Sequence, residues 1–169
     1  MRVYKDIISG DEMVSDSYPN VLLFEDACLE VKSRLISKNA NDDYGIGSND
    51  EEGDGTVDDN SVNVIDIVDS FNLQEITLSK AEWTAYIKTY LPKIKKHLES
   101  TGRADRIPVF QKGATALFKH LLEKFDEVQI FAGKGFDVEA GYAYCYYKEQ
   151  TDAGPTFFYF HDGLREEKF

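Results

Sequence analysis

The chain has 169 residues, 42% of them hydrophobic, and 31 acidic against 19 basic side chains give it a formal charge of −12. That is enough apolar material for one domain with its own core, and no apolar run is long enough to span a bilayer. Two cysteines, Cys28 and Cys145, with no CxxC pair exclude a disulfide framework and a cysteine-ligated zinc site, and predict reduced, buried thiols in an intracellular protein.

In chain order, Val3 to Ile8 alternates in hydrophobicity and predicts a strand that ends in a turn at Ser9-Gly10-Asp11. Met13 and Val14 resume it, which sets Glu12 on or beside a hairpin. Leu22 to Phe24 is apolar but of undecided type, Ala27 to Val31 alternates again, and Ser33 to Ile36 extends that strand. Between residues 37 and 63 the composition falls to Asn, Asp, Gly, Ser and Glu, predicting a long flexible acidic loop. Val64 to Val68 and Asn72 to Glu75 return to β character.

Residues 79–125 carry a long helical period. Trp83, Tyr86, Ile87, Tyr90, Leu91, Ile94 and Leu98 recur at spacings of three and four, Ser79 and Glu82 have the spacing of a capping box, and Gly102 marks the exit. A second stripe, from Phe110 through Ala114, Leu117, Leu121 and Phe125, predicts a partner helix, so the two form an antiparallel hairpin. Pro92 predicts a kink in the first helix. Beyond the hairpin, Val128 to Phe131, Tyr142 to Tyr147 and Thr156 to Phe160 read as strands of an aromatic sheet core. The sum is one α+β domain over residues 1–169. Its β core comprises 1–36, 64–76 and 128–169, the acidic loop 37–63, and a helical hairpin projects from the sheet at 79–125.

Charge is unevenly spread along this plan. Between Lys80 and Lys124 ten basic residues face four acids, whereas between Asn41 and Ser79 eleven acids stand with no base. Lys88, Lys95, Lys96 and Lys112 are therefore either a solvated helix face or a docking surface for an acidic partner such as the tubulin tail; nucleic acid is disfavoured because the rest of the chain would repel phosphate. The acidic stretch from Asp50 partly follows a calcium-loop pattern through Glu52, Asp54, Gly55 and Asp58. It fails at the twelfth position, Ser61, and lacks flanking helices, so any affinity for calcium should be no better than about 10⁻⁴–10⁻³ M. No nucleophile with a neighbouring base, phosphate-binding loop or dinucleotide fingerprint is present, which argues against an enzyme.

The segments Tyr4-Lys5-Asp6-Ile7-Ile8-Ser9, Asp11-Glu12-Met13, Cys28-Leu29-Glu30-Val31, Ile46-Gly47, Asp66-Ile67-Val68, Leu73-Gln74-Glu75, Tyr86-Ile87-Lys88 and Asp162-Gly163-Leu164 together resemble the translationally controlled tumour protein family from end to end. The resemblance implies a β-tent-like core, related to zinc-bearing exchange-factor homologues and B-type methionine sulfoxide reductases but without the zinc. It also implies a non-enzymatic function exercised by contacts: a monomeric cytoplasmic regulator that binds calcium, tubulin and microtubules, and small GTPases or translation elongation factors, and supports growth and survival. By that resemblance the GTPase-facing surface uses Glu12 and Leu73, the microtubule contact uses the basic hairpin, and calcium involves Asn49, Asp50, Glu51, Glu52 and Gln129. Lys134 stands where relatives carry an acid and reverses a charge on the GTPase-facing edge.

Overall fold

The computed structural model describes residues 1–39 and 61–168. Its strands are β1 (Arg2–Asp6), β2 (Glu12–Ser15), β3 (Asn20–Leu23), β4 (Cys28–Lys32), β5 (Leu35–Asn39), β6 (Ser61–Ile65), β7 (Gln74–Ile76), β8 (Gln129–Ala132), β9 (Ala143–Tyr146), β10 (Thr156–Phe160) and β11 (Leu164–Lys168). The helices are α1 (Asp66–Phe71), α2 (Lys80–Ser100) and α3 (Ile107–Glu123). The strands form a six-stranded sheet in the order β3-β4-β10-β9-β8-β7, a three-stranded sheet β11-β1-β2 and a ribbon β5-β6.

Strand β10 shows how the layers are specified. All five of its residues are buried, and alternation sends Phe158 and Phe160 to one side and Phe157 and Tyr159 to the other. The first side meets Trp83, Ile87, Tyr90, Ile94 and Leu98 of α2 and Phe110, Ala114, Leu117 and Leu121 of α3. The second meets Tyr4, Met13 and Val14 of the small sheet together with Ile67 of α1. The six-stranded sheet is thus a central layer between a helical layer and a second sheet, and each large apolar side chain so buried contributes roughly 1.5–3 kcal/mol.

Several expectations are corrected. The hairpin does not project from the sheet; its apolar stripes lie against it, because Trp83 and Tyr90 find ring partners there in Tyr144 and Phe160. Residues 66–68, expected as the end of a strand, instead open helix α1: Asp66 Oδ1 accepts the Ile67 N–H (2.8 Å) and the Arg34 N–H (3.1 Å), fixing a turn, and Asn72 closes it in the left-handed region at φ 54°. The stretch assigned to the acidic loop is shorter at both ends, since Ser37 pairs with Asn63 and Lys38 with Val62 in the ribbon; the remainder, 40–60, lies outside the described residues. Ser33 and Arg34 separate β5 from β4 instead of continuing it. Pro92 lies inside α2, as the sequence placed it, and the helix continues beyond it to Ser100.

Candidate functional site

The hairpin offers the most clearly built surface. At its start Ser79 Oγ accepts the Glu82 N–H (3.0 Å) while the Glu82 carboxylate accepts the Ser79 N–H (2.8 Å), the reciprocal cap the sequence predicts. The inner face is then fixed to the sheet. Trp83 Nε1 donates to the Tyr144 hydroxyl at 3.0 Å, Tyr86 stacks on Tyr142 with ring centroids 4.2 Å apart and donates its hydroxyl to the Ala140 carbonyl, and Arg106 forks onto Asp162 at the turn between the helices. With that side held, the opposite side is presented to solvent in a fixed orientation.

Lys88, Lys95, Lys96 and Lys112 are all exposed there. Lys112 approaches Glu25 at 3.4 Å, with both side chains more than half exposed, an ion pair of little energetic weight. Among the described residues no acid pairs with Lys88, Lys95 or Lys96, so their charge is directed outward. Lys88 and Lys95, seven apart, share one face of α2 with Leu91 between them. They border a shallow apolar channel between α2 and α3.

The other predicted residues scatter. Glu12 is exposed at the start of β2, opposite Lys5. Its neighbour Asp11 accepts the Gly135 N–H (3.0 Å), and a Cβ at Gly133 would come within 2.6 Å of that same carboxylate, which is why glycine stands beside it. Lys134 is exposed on this tie, so the edge carries mixed charge. Leu73 is only 5% exposed and packs in the core between the two sheets, so the proposed contact pair is one surface residue and one buried one. Gln129 lies exposed on β8 and donates Nε2 to Glu75 at 3.3 Å. Asn49, Asp50, Glu51 and Glu52 lie outside the described residues. Among the described residues no cluster of three or more His, Cys, Asp or Glu side chains could hold a metal, and no helix is long and apolar enough to cross a membrane.

Both cysteines are fully buried and reduced. Burial pushes the Cys28 thiol up to about 12 and raises Cys145 further, so neither is poised as a thiolate nucleophile. Two polar pairs escaped the sequence reading. His120 Nε2 lies 2.8 Å from the Tyr146 hydroxyl, and Lys148 donates to the nearly buried Glu30 at 2.7 Å, with its Nζ 5.8 Å from the Phe158 ring centroid. They join residues 26 and 118 positions apart, which local pattern cannot foresee.

Comparison with known proteins places these features in context. The model of the family described as "Translationally controlled tumour protein" matches residues 1–165. Among curated proteins, a translationally-controlled tumor protein homolog from Plasmodium chabaudi chabaudi is 43% identical over 174 residues, and one from Theileria annulata 37% over 176, each covering all of both chains. Among solved structures, the translationally controlled tumor-associated protein p23fyp of Schizosaccharomyces pombe superposes with a TM-score of 0.82 at 31% identity over the whole of both chains. The Caenorhabditis elegans translationally-controlled tumor protein gives 0.65 at 27%, covering all of this chain and 99% of that one.

Proposed function

Since the chain belongs to the translationally controlled tumour protein family, we propose that it is a non-enzymatic binding protein of the cytoplasm that meets tubulin and microtubules through the basic face of the α2–α3 hairpin. The observation that carries this reading is the set of exposed lysines Lys88, Lys95 and Lys96, without an acidic partner among the described residues, on helices whose other side is fixed to the sheet. Such a face attracts the acidic surface of a microtubule and does so less as salt screens it. A role in growth and survival, and weak calcium binding through Asn49, Asp50, Glu51, Glu52 and Gln129, complete the proposal. Cosedimentation with microtubules at two salt concentrations tests it: binding should fall as salt rises and fall again in K88E/K95E/K96E, and indifference to both changes would remove it.

A second reading, regulation of a Ras-type small GTPase or a translation elongation factor, draws on the exposed Glu12 beside the Asp11–Gly135 tie. Leu73 would support it from within, by holding β7 in place. Nucleotide release from the GTPase with wild-type protein and with Glu12→Ala decides it; equal rates count against the idea.

A further inference from the structure

The outer seam of the hairpin holds two adjoining depressions of about 420 and 320 Å³ that share Leu91, Pro92 and Thr115. One extends toward Lys95 and Phe110, the other toward Lys88 and Phe118, so together they make one channel running from Thr84 to Lys95. Eleven residues of helix rise about 16 Å, or three turns. The lining is mostly apolar, Lys88 and Lys95 border it, and no acid lines it. Pro92 adds a polar feature: lacking an N–H, it withdraws the helical partner of the Lys88 carbonyl.

We infer that this channel docks an acidic amphipathic helix of about three turns from another protein, its leucine-type side chains seated against Leu91, Pro92 and Phe118 and its carboxylates meeting Lys88 and Lys95. Length selects a helix, since an apolar stripe at spacings of three and four follows a seam of this kind. Charge selects its flanks: the only charged residues lining the channel are the two lysines, so a basic or neutral helix of the same shape gains no ion pair at the rim. The inference deepens the proposed function and rests on it only in sharing Lys88 and Lys95. It separates the four lysines into two that border the channel and two, Lys96 and Lys112, that do not.

The test uses the full chain and a fluorescently labelled synthetic 14-residue peptide with Leu at positions of spacing three and four and Glu on the flanks. Its controls are an isomer of identical composition with the leucines dispersed, and a version with Lys in place of Glu. Anisotropy titration should give binding of the first peptide at least about tenfold tighter than of either control, a difference of about 1.4 kcal/mol. K88E/K95E should lose about tenfold, while K96E/K112E keeps the affinity. Thr115→Trp, at an exposed position shared by both depressions, should block the channel without entering the core, with the thermal midpoint confirming that the variant is folded. Equal binding of the patterned and dispersed peptides, or a folded T115W that binds as well as wild type, overturns the inference. Microtubule cosedimentation read in parallel keeps the two ideas apart: T115W should still cosediment if microtubules are held by charge alone, and loss of peptide binding with cosedimentation intact defeats only the channel.

Discussion

The Asp162 carboxylate accepts two N–H groups from one guanidinium, Arg106 Nε to Oδ1 at 2.9 Å and Arg106 Nη2 to Oδ2 at 3.0 Å, tying the turn between the long helices to the turn between β10 and β11. Asp162 is nearly fully buried, whereas a fifth of the Arg106 side chain reaches solvent. Removing the base alone strands a buried carboxylate. Arg106→Ala should therefore cost about 3 kcal/mol, the low end of the range for breaking such a pair because Arg103 stands 3.7 Å away and offers partial compensation. Urea denaturation midpoints measure this, and R106A/D162A should lose less than the two single changes added together. A loss below about 0.5 kcal/mol in R106A would show the pair to be energetically idle.

Tyr144→Phe leaves the Trp83 N–H without its acceptor in a site with no solvent access. The expected loss is about 1–3 kcal/mol. Trp83 is the single tryptophan of the chain, so its emission reports the site directly: a blue-shifted native spectrum, a red shift on unfolding, and an earlier denaturation midpoint in the variant.

Gly113 faces the turn at residues 24–26, three successive non-glycine residues with positive φ of 54°, 54° and 69°. A Cβ there would run into the Phe24 carbonyl oxygen and the Ala27 side chain. Gly113→Ala gains helix propensity of about 1 kcal/mol, yet overpacking should outweigh it. The net loss expected is about 1–2 kcal/mol, read from thermal or chemical midpoints. A stabilised G113A would mean that the turn yields freely.

His120 contributes a pH dependence. Burial holds its pKa below the ordinary histidine value, with Glu123 and Glu30 opposing and Lys124 and Lys148 reinforcing the effect. A depressed pKa means that the folded state binds its proton less readily than the unfolded chain. This contribution to stability is therefore complete above the unfolded value of about 6.5 and declines as pH falls below it through the folded value. Midpoints measured between about pH 8 and about pH 5 should decline less steeply in His120→Gln than in wild type. Parallel curves would remove His120 as the source.

In the native protein neither thiol should react with a disulfide reagent, because both cysteines have no exposed surface and raised pKa values. Two equivalents should appear in denaturant. A rapidly reacting native thiol lost in Cys145→Ser would show that Cys145 is not held buried in solution.

How far the residues disclosed this structure depended on how local the signal was. The hairpin was legible because the Ser79–Glu82 cap and the α2 stripe are written within a few turns. Helix α1 was not, since Ile65, Ile67 and Val68 favour a strand and the deciding contact is the Asp66 carboxylate on the distant Arg34 N–H. Strand β11 left no apolar alternation: it lies at a sheet edge and pairs with β1 partly through Arg2–Glu166 and Lys5–Glu167, side chains that read as solvated. At the candidate site, the exposure of the four lysines followed from helical period. Leu73 between Asn72 and Gln74 carried no sign of its burial, and the channel needed both helices at once, with Pro92 its one visible mark.

The placement of β10 bears on how the molecule is made. This strand, at Thr156–Phe160, supplies rings to both apolar layers and hydrogen-bonds to β4 on one side and β9 on the other. During synthesis all three helices and every described strand but β11 leave the ribosome before it does, so neither layer can close on the nascent chain. Hydrophobic helix and sheet faces must wait in the open until that late segment arrives, which makes the newly made protein a natural client for chaperones.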